Sequence, residues 1–391
     1  MGSAFYLRRM VMFSVALAMM FLTWNKAIEL VDEVYNANTV LNEGLRGKIP
    51  LLTNTDPHKS LSGGKDECHH VAYLKVHKTG SSSVQNIFLR FGQTRNLTFI
   101  LGHDNEELAE TPYANMISYS NTLNDKNIVP PPEGSHYDII CCHVIYNRTT
   151  FQKYLPTDTK YIGLVRDPIT RLESAIRYFQ LFSNRNLSEY ANDPLRFEKG
   201  PHSMSNNRMA FEFGYPLTLF PNSHDQPNDL ENAINDYTDD LFDQFDLIMI
   251  NERMDESLVL MRRILNWQIK DILYMKKLVS KQETRRFSEI DIQNLKPFLY
   301  LDFKLYQRSL DVFNTMVDAL GQDFQDEVAI FKNYKDQVIK FCKSGKPLEL
   351  FKGSKWNNEF NVTKEDCRLL NIFETHLIQE IRKRQYGQIG N

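Results

Sequence analysis

The 391-residue sequence lacks a charge excess of either sign: 46 Lys and Arg stand against 49 Asp and Glu, for a net charge of −3. A surface that follows a nucleic-acid backbone needs a basic excess, so nucleic acid is not an expected partner. Any anionic ligand must be held by a local site. Cysteine is scarce, with Cys68, Cys141, Cys142, Cys342 and Cys367 making five. No spacing among them resembles a zinc site, and no metal is expected in the chemistry. The G-x-x-x-x-G-K-[ST] loop is absent, which removes the Walker-type nucleotide-binding reading. There is no internal repeat.

One long apolar run is present, Met10–Trp24, preceded by Arg8 and Arg9. Its length falls between a secretory signal core of roughly 7–15 residues and a membrane span of about 20. No small-x-small cleavage site follows. An uncleaved signal anchor is therefore expected, with residues 1–9 cytosolic, 10–24 in the membrane, a polar stem over 25–66 and a lumenal domain over 67–391. Four N-x-S/T sequons, at Asn96, Asn147, Asn186 and Asn361, agree with a lumenal location. In that compartment Cys342 and Cys367 can pair. Cys141 and Cys142 read as core, and an odd count leaves at least one thiol free or intermolecular. Oligomerisation, including a homo-oligomer, stays open.

From about Glu67 onward, short apolar runs alternate with amphipathic helices. Strands are expected at Val71–Leu74, Ile139–Cys142, Tyr161–Val165 and Leu247–Ile250. The pattern predicts an α/β fold with a central, mostly parallel sheet flanked by helices, and ligands at the carboxyl ends of its strands. Segments 121–136 and 184–206 read as loops, and 288–317 as helical.

The most informative stretch is VAYLKVHKTGSSSVQNIFLRFG, residues 71–92. A strand runs into Lys78-Thr79-Gly80-Ser81-Ser82-Ser83. A helix follows, with Val84, Ile87, Phe88 and Phe91 on one face and Gly92 as its expected stop. A helix N-terminus offers unpaired N–H groups and the positive end of a dipole, a setting for phosphate. Gly80 permits close backbone approach, the serines add hydroxyls and Lys78 adds charge. A single serine would be an ordinary helix cap; the whole run after a strand is less well explained that way. The arrangement resembles the 5′-phosphosulfate loop of sulfotransferases.

A second phosphate site is expected in YIGLVRDPITRLESAIRYF, residues 161–179. Asp167 can cap a helix starting at Pro168, with Ile169, Leu172, Ile176 and Phe179 buried. Arg166 ends the strand, and Ser174 follows eight residues later on the helix's polar side. This order resembles the 3′-phosphate site of sulfotransferases, and an Arg fork suits phosphate. Alone, Arg166 reads equally as a surface ion pair with Asp167 or Glu173. Together, the two sites suit a nucleotide phosphorylated at both 3′ and 5′ positions.

Between them lies DIICCHVIYNR, residues 138–148, with His143 at the ligand edge of a strand. Histidine titrates near neutrality and can accept a hydroxyl proton. The segment resembles the His-Val step of uronyl 2-O-sulfotransferases, which makes His143 the expected base. Arg148 is a candidate acceptor contact, His77 and Lys75 candidate phosphate contacts, and Glu173, Glu212, Glu252 and Asp255 alternative acid–base groups.

With LKVHKTGSSSVQNIFLRFG, LVRDPITRLESAIRYF, NNRMAFEFG and INERMDESLVLMRRILNW in hand, the chain resembles the galactose-3-O-sulfotransferase family over about residues 67–320. The resemblance implies a P-loop-like sulfotransferase fold on a type II Golgi membrane anchor. It implies 3′-phosphoadenosine 5′-phosphosulfate (PAPS) as donor and the 3-hydroxyl of β-galactose on a glycolipid or glycoprotein as acceptor. Lys78 and His143 would be catalytic. Lys78, Thr79, Gly80, Ser81, Ser82, Ser83, Arg166 and Ser174 would bind the donor. Two rival readings are a uronyl or hexosamine glycosaminoglycan sulfotransferase and a lumenal carbohydrate-binding protein without catalysis. A nucleotide kinase is weakest, since the Walker loop is missing.

Overall fold

The computed structural model describes residues 66–387, apart from 105–108, 110, 112, 182–185, 198–202, 222 and 277–285. The expected anchor over 10–24 and the stem up to residue 65 lie outside the described residues. Among the described residues no helix is long and apolar enough to cross a membrane.

In chain order the elements are β1 (Val71–Tyr73), α1 (Ser81–Thr94), β2 (Ile139–Ile140), α2 (Arg148–Tyr154), β3 (Lys160–Val165), α3 (Pro168–Phe179), α4 (Leu187–Asn192), α5 (Arg208–Glu212), α6 (Leu230–Gln244), β4 (Leu247–Ile250), α7 (Met254–Leu265), α8 (Glu289–Leu295), α9 (Tyr300–Ser344), β5 (Leu348–Phe351), β6 (Phe360–Thr363), α10 (Lys364–Asn371) and α11 (Glu374–Tyr386). β1 to β4 form one parallel sheet in the order β2-β1-β3-β4. Their residues are almost all apolar and buried, as parallel strands covered on both faces require. β5 and β6 form a separate antiparallel pair.

The strand order decides where a ligand can sit. The chain passes from β1 outward to β2, then returns to the other side of β1 for β3. The loops after β1 and β3 therefore part in opposite directions, and a crevice opens at their carboxyl ends.

Several boundaries differ from expectation. Gly92 does not stop α1, which continues to Thr94. A Cβ at Gly92 would lie 2.6 Å from Phe99 Cε2, so the glycine serves the close approach of the helix to that ring. The loop expected over 184–206 contains α4, capped by Asn186, whose side chain accepts from the Ser188 N–H. The helix from Tyr300 runs to Ser344, bent at Gly321, where φ is +61°. The buried face of α3 includes Arg171, Ser174 and Ala175 beside Ile169 and Leu172, while Ile176 and Phe179 are only partly buried.

Trp267 packs flat on Phe91 at 3.6 Å and edge-on to Phe88, which stacks on Tyr73. This joins the chain after α7 to the inner face of α1. Cys342 and Cys367 form a disulfide with Cα atoms 5.4 Å apart, tying the end of α9 to α10. Cys141 and Cys142 are buried and reduced, and Cys68 is a partly buried free thiol.

Candidate active site

The loop after β1 is built against its own strand. Thr79 Oγ1 and Ser81 Oγ donate to the Val76 carbonyl at 3.1 and 2.6 Å. Thr79 is turned inward with no exposure and braces the loop. Asn251, just past β4, donates to the Thr79 carbonyl at 2.7 Å. Gly80 precedes α1 at φ +83°, and a Cβ there would collide with the Asn251 amide. The N-cap of α1 is Gly80, which offers no side-chain acceptor, and the Ser83 N–H donates to the Gly80 carbonyl at 3.2 Å. Lys78 takes φ +64°, a region costing an ordinary residue of order 1 kcal/mol or more. Its ammonium lies 3.6 Å from the centre of the Tyr178 ring.

Arg166 stands at the end of β3. Its guanidinium donates to Thr170 Oγ1 at 3.1 Å and to the Lys78 carbonyl at 3.2 Å. The two predicted phosphate elements are thus in direct contact at the crevice between β1 and β3. Asp167 caps α3, accepting from the Thr170 N–H at 2.8 Å. Ser174 is 7% exposed and lines the crevice from α3, rather than facing solvent on a polar side.

These residues line one cleft of about 1510 Å³. Lys75, Lys78, Arg166 and Arg177 share its wall with Gly80 and the three serines. Burial, then the neighbouring Arg177 and Arg166, lower the Lys78 ammonium to about 8. A site that holds cations against their mutual repulsion is prepared for an anion.

His143 lies in the same cleft, just past β2. Its Nδ1 donates to the Lys75 carbonyl at 2.7 Å, which leaves the Nε2 lone pair free for a proton. Burial, then His77 and Lys75, hold it well below the usual histidine range, so it is neutral at pH 7. His77 stacks on it, with ring centres 3.7 Å apart and planes 17° from parallel.

Sequence reasoning offered His77 as a candidate phosphate contact and did not connect it to Glu212. The His77 N–H donates to Glu212 at 2.7 Å, and its Nδ1 hydrogen-bonds the other carboxylate oxygen. Arg208 pairs with Glu212 at 3.0 Å and donates to the Tyr119 carbonyl at 2.8 Å. Burial alone would raise the Glu212 carboxyl, but His77 and Arg208 outweigh it and hold it at about 2. The available signal was Arg208 and Glu212 one helical turn apart inside an apolar segment, where buried charges are paired. His77, His143 and Glu212 bring ligand atoms within 4.8 Å of one another. The stacked rings nevertheless keep their in-plane lone pairs in separate planes, so the two do not converge on one ion.

Glu374, at the start of α11, was also missed. It accepts from Ser82 Oγ at 2.6 Å and lies 3.7 Å from the buried Lys75 ammonium. The other carboxylates lie on the cleft wall in structural contacts. Glu173 accepts from the Phe287 N–H, Glu252 accepts from the Asp167 N–H, and Asp255 pairs with Lys335. Arg148 begins α2 at an exposed position and is not among the cleft-lining residues.

The sequence model of the family described as galactose-3-O-sulfotransferase matches residues 6–353. Galactose-3-O-sulfotransferase 2 of Mus musculus is 27% identical over 285 residues, covering 70% of this chain and 69% of the relative. Galactosylceramide sulfotransferase of Homo sapiens is 27% identical over 308 residues, covering 73% and 67%. Galactose-3-O-sulfotransferase 3 of Mus musculus is 29% identical over 292 residues, covering 71% and 64%.

Proposed function

The chain belongs to the galactose-3-O-sulfotransferase family and is a carbohydrate sulfotransferase, and from that premise we propose that it moves a sulfonate from PAPS to the 3-hydroxyl of a β-galactose on a glycolipid or glycoprotein glycan. The observation that carries this reading is the Arg166–Lys78 contact at the crevice between β1 and β3. It sets two cationic pockets side by side, as a nucleotide with phosphate groups at both ends requires. The strand, loop and helix around Lys78 support a P-loop-like sulfotransferase fold.

In this reading the N–H groups at the start of α1, with Lys78 and the loop of Gly80, Ser81, Ser82 and Ser83, hold the 5′-phosphosulfate. Arg166 and Ser174 hold the 3′-phosphate, and Thr79 keeps the loop in shape. The galactose oxygen attacks sulfur in line. A new O–S bond forms as the bond from sulfur to the 5′-phosphate oxygen breaks. His143 Nε2 takes the hydroxyl proton, and 3′-phosphoadenosine 5′-phosphate leaves. Lys78 and the α1 N–H groups stabilise the charge growing on the leaving phosphate. No resident metal enters the step.

One observation favours a second reading of the base. Glu212 holds His77 through Nδ1, as a carboxylate orients the imidazole of a catalytic triad. That leaves His77 Nε2 free as well.

The setting we infer is the Golgi lumen, behind a single-pass type II anchor at 10–24. The Cys342–Cys367 disulfide supports an oxidising compartment. The four sequon residues, Asn96, Asn147, Asn186 and Asn361, are exposed and open to glycosylation.

The test is turnover with labelled PAPS and a panel of galactosylceramide, lactosylceramide, N-acetyllactosamine and heparan. Lys78→Ala is expected to lose roughly 10²–10³-fold in kcat, and His143→Ala roughly 10²–10⁴-fold. Unimpaired Lys78→Ala rejects the loop assignment. Unimpaired His143→Ala with an inactive His77→Ala transfers the base to His77. Transfer to heparan alone refutes the galactose acceptor.

A further inference from the structure

A second histidine cluster lies at the opposite edge of the sheet. His70 precedes β1, His136 and Asp138 precede β2, and Asp158 precedes β3, so all four sit at the amino ends of parallel strands. The cleft is at the carboxyl ends. We propose that His70, His136 and Asp138 form a binding site for a divalent transition-metal cation of the zinc class. This proposal is independent of the donor and acceptor assigned to the cleft.

The three ligand atoms are grouped as the ligands of a single ion are. His70 Nε2 lies 3.4 Å and His136 Nε2 3.1 Å from the same oxygen, Asp138 Oδ1. All three ligand atoms lie within 4.8 Å of one another. A tetrahedral zinc with nitrogen and oxygen ligands at about 2.0–2.1 Å spaces those ligands about 3.3 Å apart. The two rings are inclined at 76°, so their Nε2 atoms approach the same Asp138 oxygen from different planes. The stacked His77–His143 pair offers the opposite geometry.

Two further contacts orient the ligands. Asp138 Oδ2 accepts the Thr98 N–H at 2.7 Å, which fixes the carboxylate and turns Oδ1 toward both histidines. Asp158 Oδ1 accepts from His70 Nδ1 at 2.7 Å. That bond places the proton on Nδ1 and the lone pair on Nε2, facing Asp138. A carboxylate behind a histidine is the usual support of a metal-bound imidazole. Two nitrogens and one oxygen suit zinc better than calcium or magnesium, which favour oxygen alone. Three protein ligands leave a fourth position for water. A bound ion would clamp the starts of β1 and β2, with β3 held through Asp158.

The test uses the metal-free full chain with Zn²⁺ alone, followed by calorimetry and thermal unfolding, and Co²⁺ as a spectroscopic substitute. His136→Ala is the variant, because that side chain is 68% exposed and its loss spares the core. We expect saturable binding of one Zn²⁺, a raised unfolding temperature and the absorption of tetrahedral Co²⁺. We expect His136→Ala to weaken binding at least tenfold and to abolish both the thermal shift and the Co²⁺ band. Absence of saturable binding overturns the proposal. So does binding equally tight in His136→Ala, which would place the ion elsewhere.

Discussion

Lys78 combines a left-handed backbone with an ammonium crowded by two guanidinium groups. The charge is held back by burial and by Arg177 and Arg166, at about 8. In the proposed function a bound phosphosulfate would reverse that balance, because an anion favours the protonated form. Affinity for 3′-phosphoadenosine 5′-phosphate is therefore expected to be level below about pH 8 and to fall above it, approaching tenfold per pH unit. Lys78→Arg keeps its charge throughout and should remove the fall. Calorimetric titration between about pH 7 and pH 9.5 reads the difference, and an affinity level across that range would show that Lys78 does not touch the nucleotide. At the same scale, residue type was a good guide to position. Lys78, Arg166 and His143 were each legible from a strand end, and all three line the cleft. What each touches was not legible. The stacking of His77 on His143 and the Glu212 carboxylate behind it come from segments far apart in sequence.

The strand, loop and helix from Val71 to Thr94 follow from local rules. Apolar residues at helical spacing, a glycine where φ must be positive and serines at the start leave little choice. The same rules misplaced the end of the helix. Gly92 reads as a stop signal, yet it is in the helix because Phe99 occupies the space a side chain would need. That contact joins two stretches of chain and has no local signature. Gly92→Val is expected to destabilise the fold by about 2–3 kcal/mol, since Phe99 and Ile139 are fully buried and cannot move aside cheaply. Denaturant unfolding measures this; an unchanged midpoint would mean that the Phe99 ring yields freely. α4 escaped detection for a different reason. It is six residues long, too short for a periodicity to declare itself, and its capping Asn186 also reads as a sequon.

In the whole molecule, buried histidines link the site to stability. His143 is held below the usual histidine range by burial first, then by His77 and Lys75. The unfolded chain then binds a proton that the folded chain refuses. The stability tied to this neutral imidazole is complete above the unfolded value of about 6.5 and is lost as pH falls from there toward the depressed folded value. One such group steepens the acid loss by up to about 1.4 kcal/mol per pH unit. Thermal unfolding from about pH 8 to pH 5 is expected to show this decline, and His143→Gln to make it shallower. An identical slope in the variant would mean that His143 is not buried neutral.

The sequence alone determined the elements of the candidate site: an α/β pattern, two strand-to-helix turns carrying Lys78 and Arg166, and a histidine at a strand end. Those are encoded locally, because a cap, a periodicity or a glycine acts within a few residues. Tertiary structure decided which of them meet. The return of the chain across β1 brings Lys78 to Arg166, α5 brings Glu212 to His77, and α11 brings Glu374 to Ser82 and Lys75. Such meetings depend on strand order and helix packing, where contact energies between remote residues outweigh local preference.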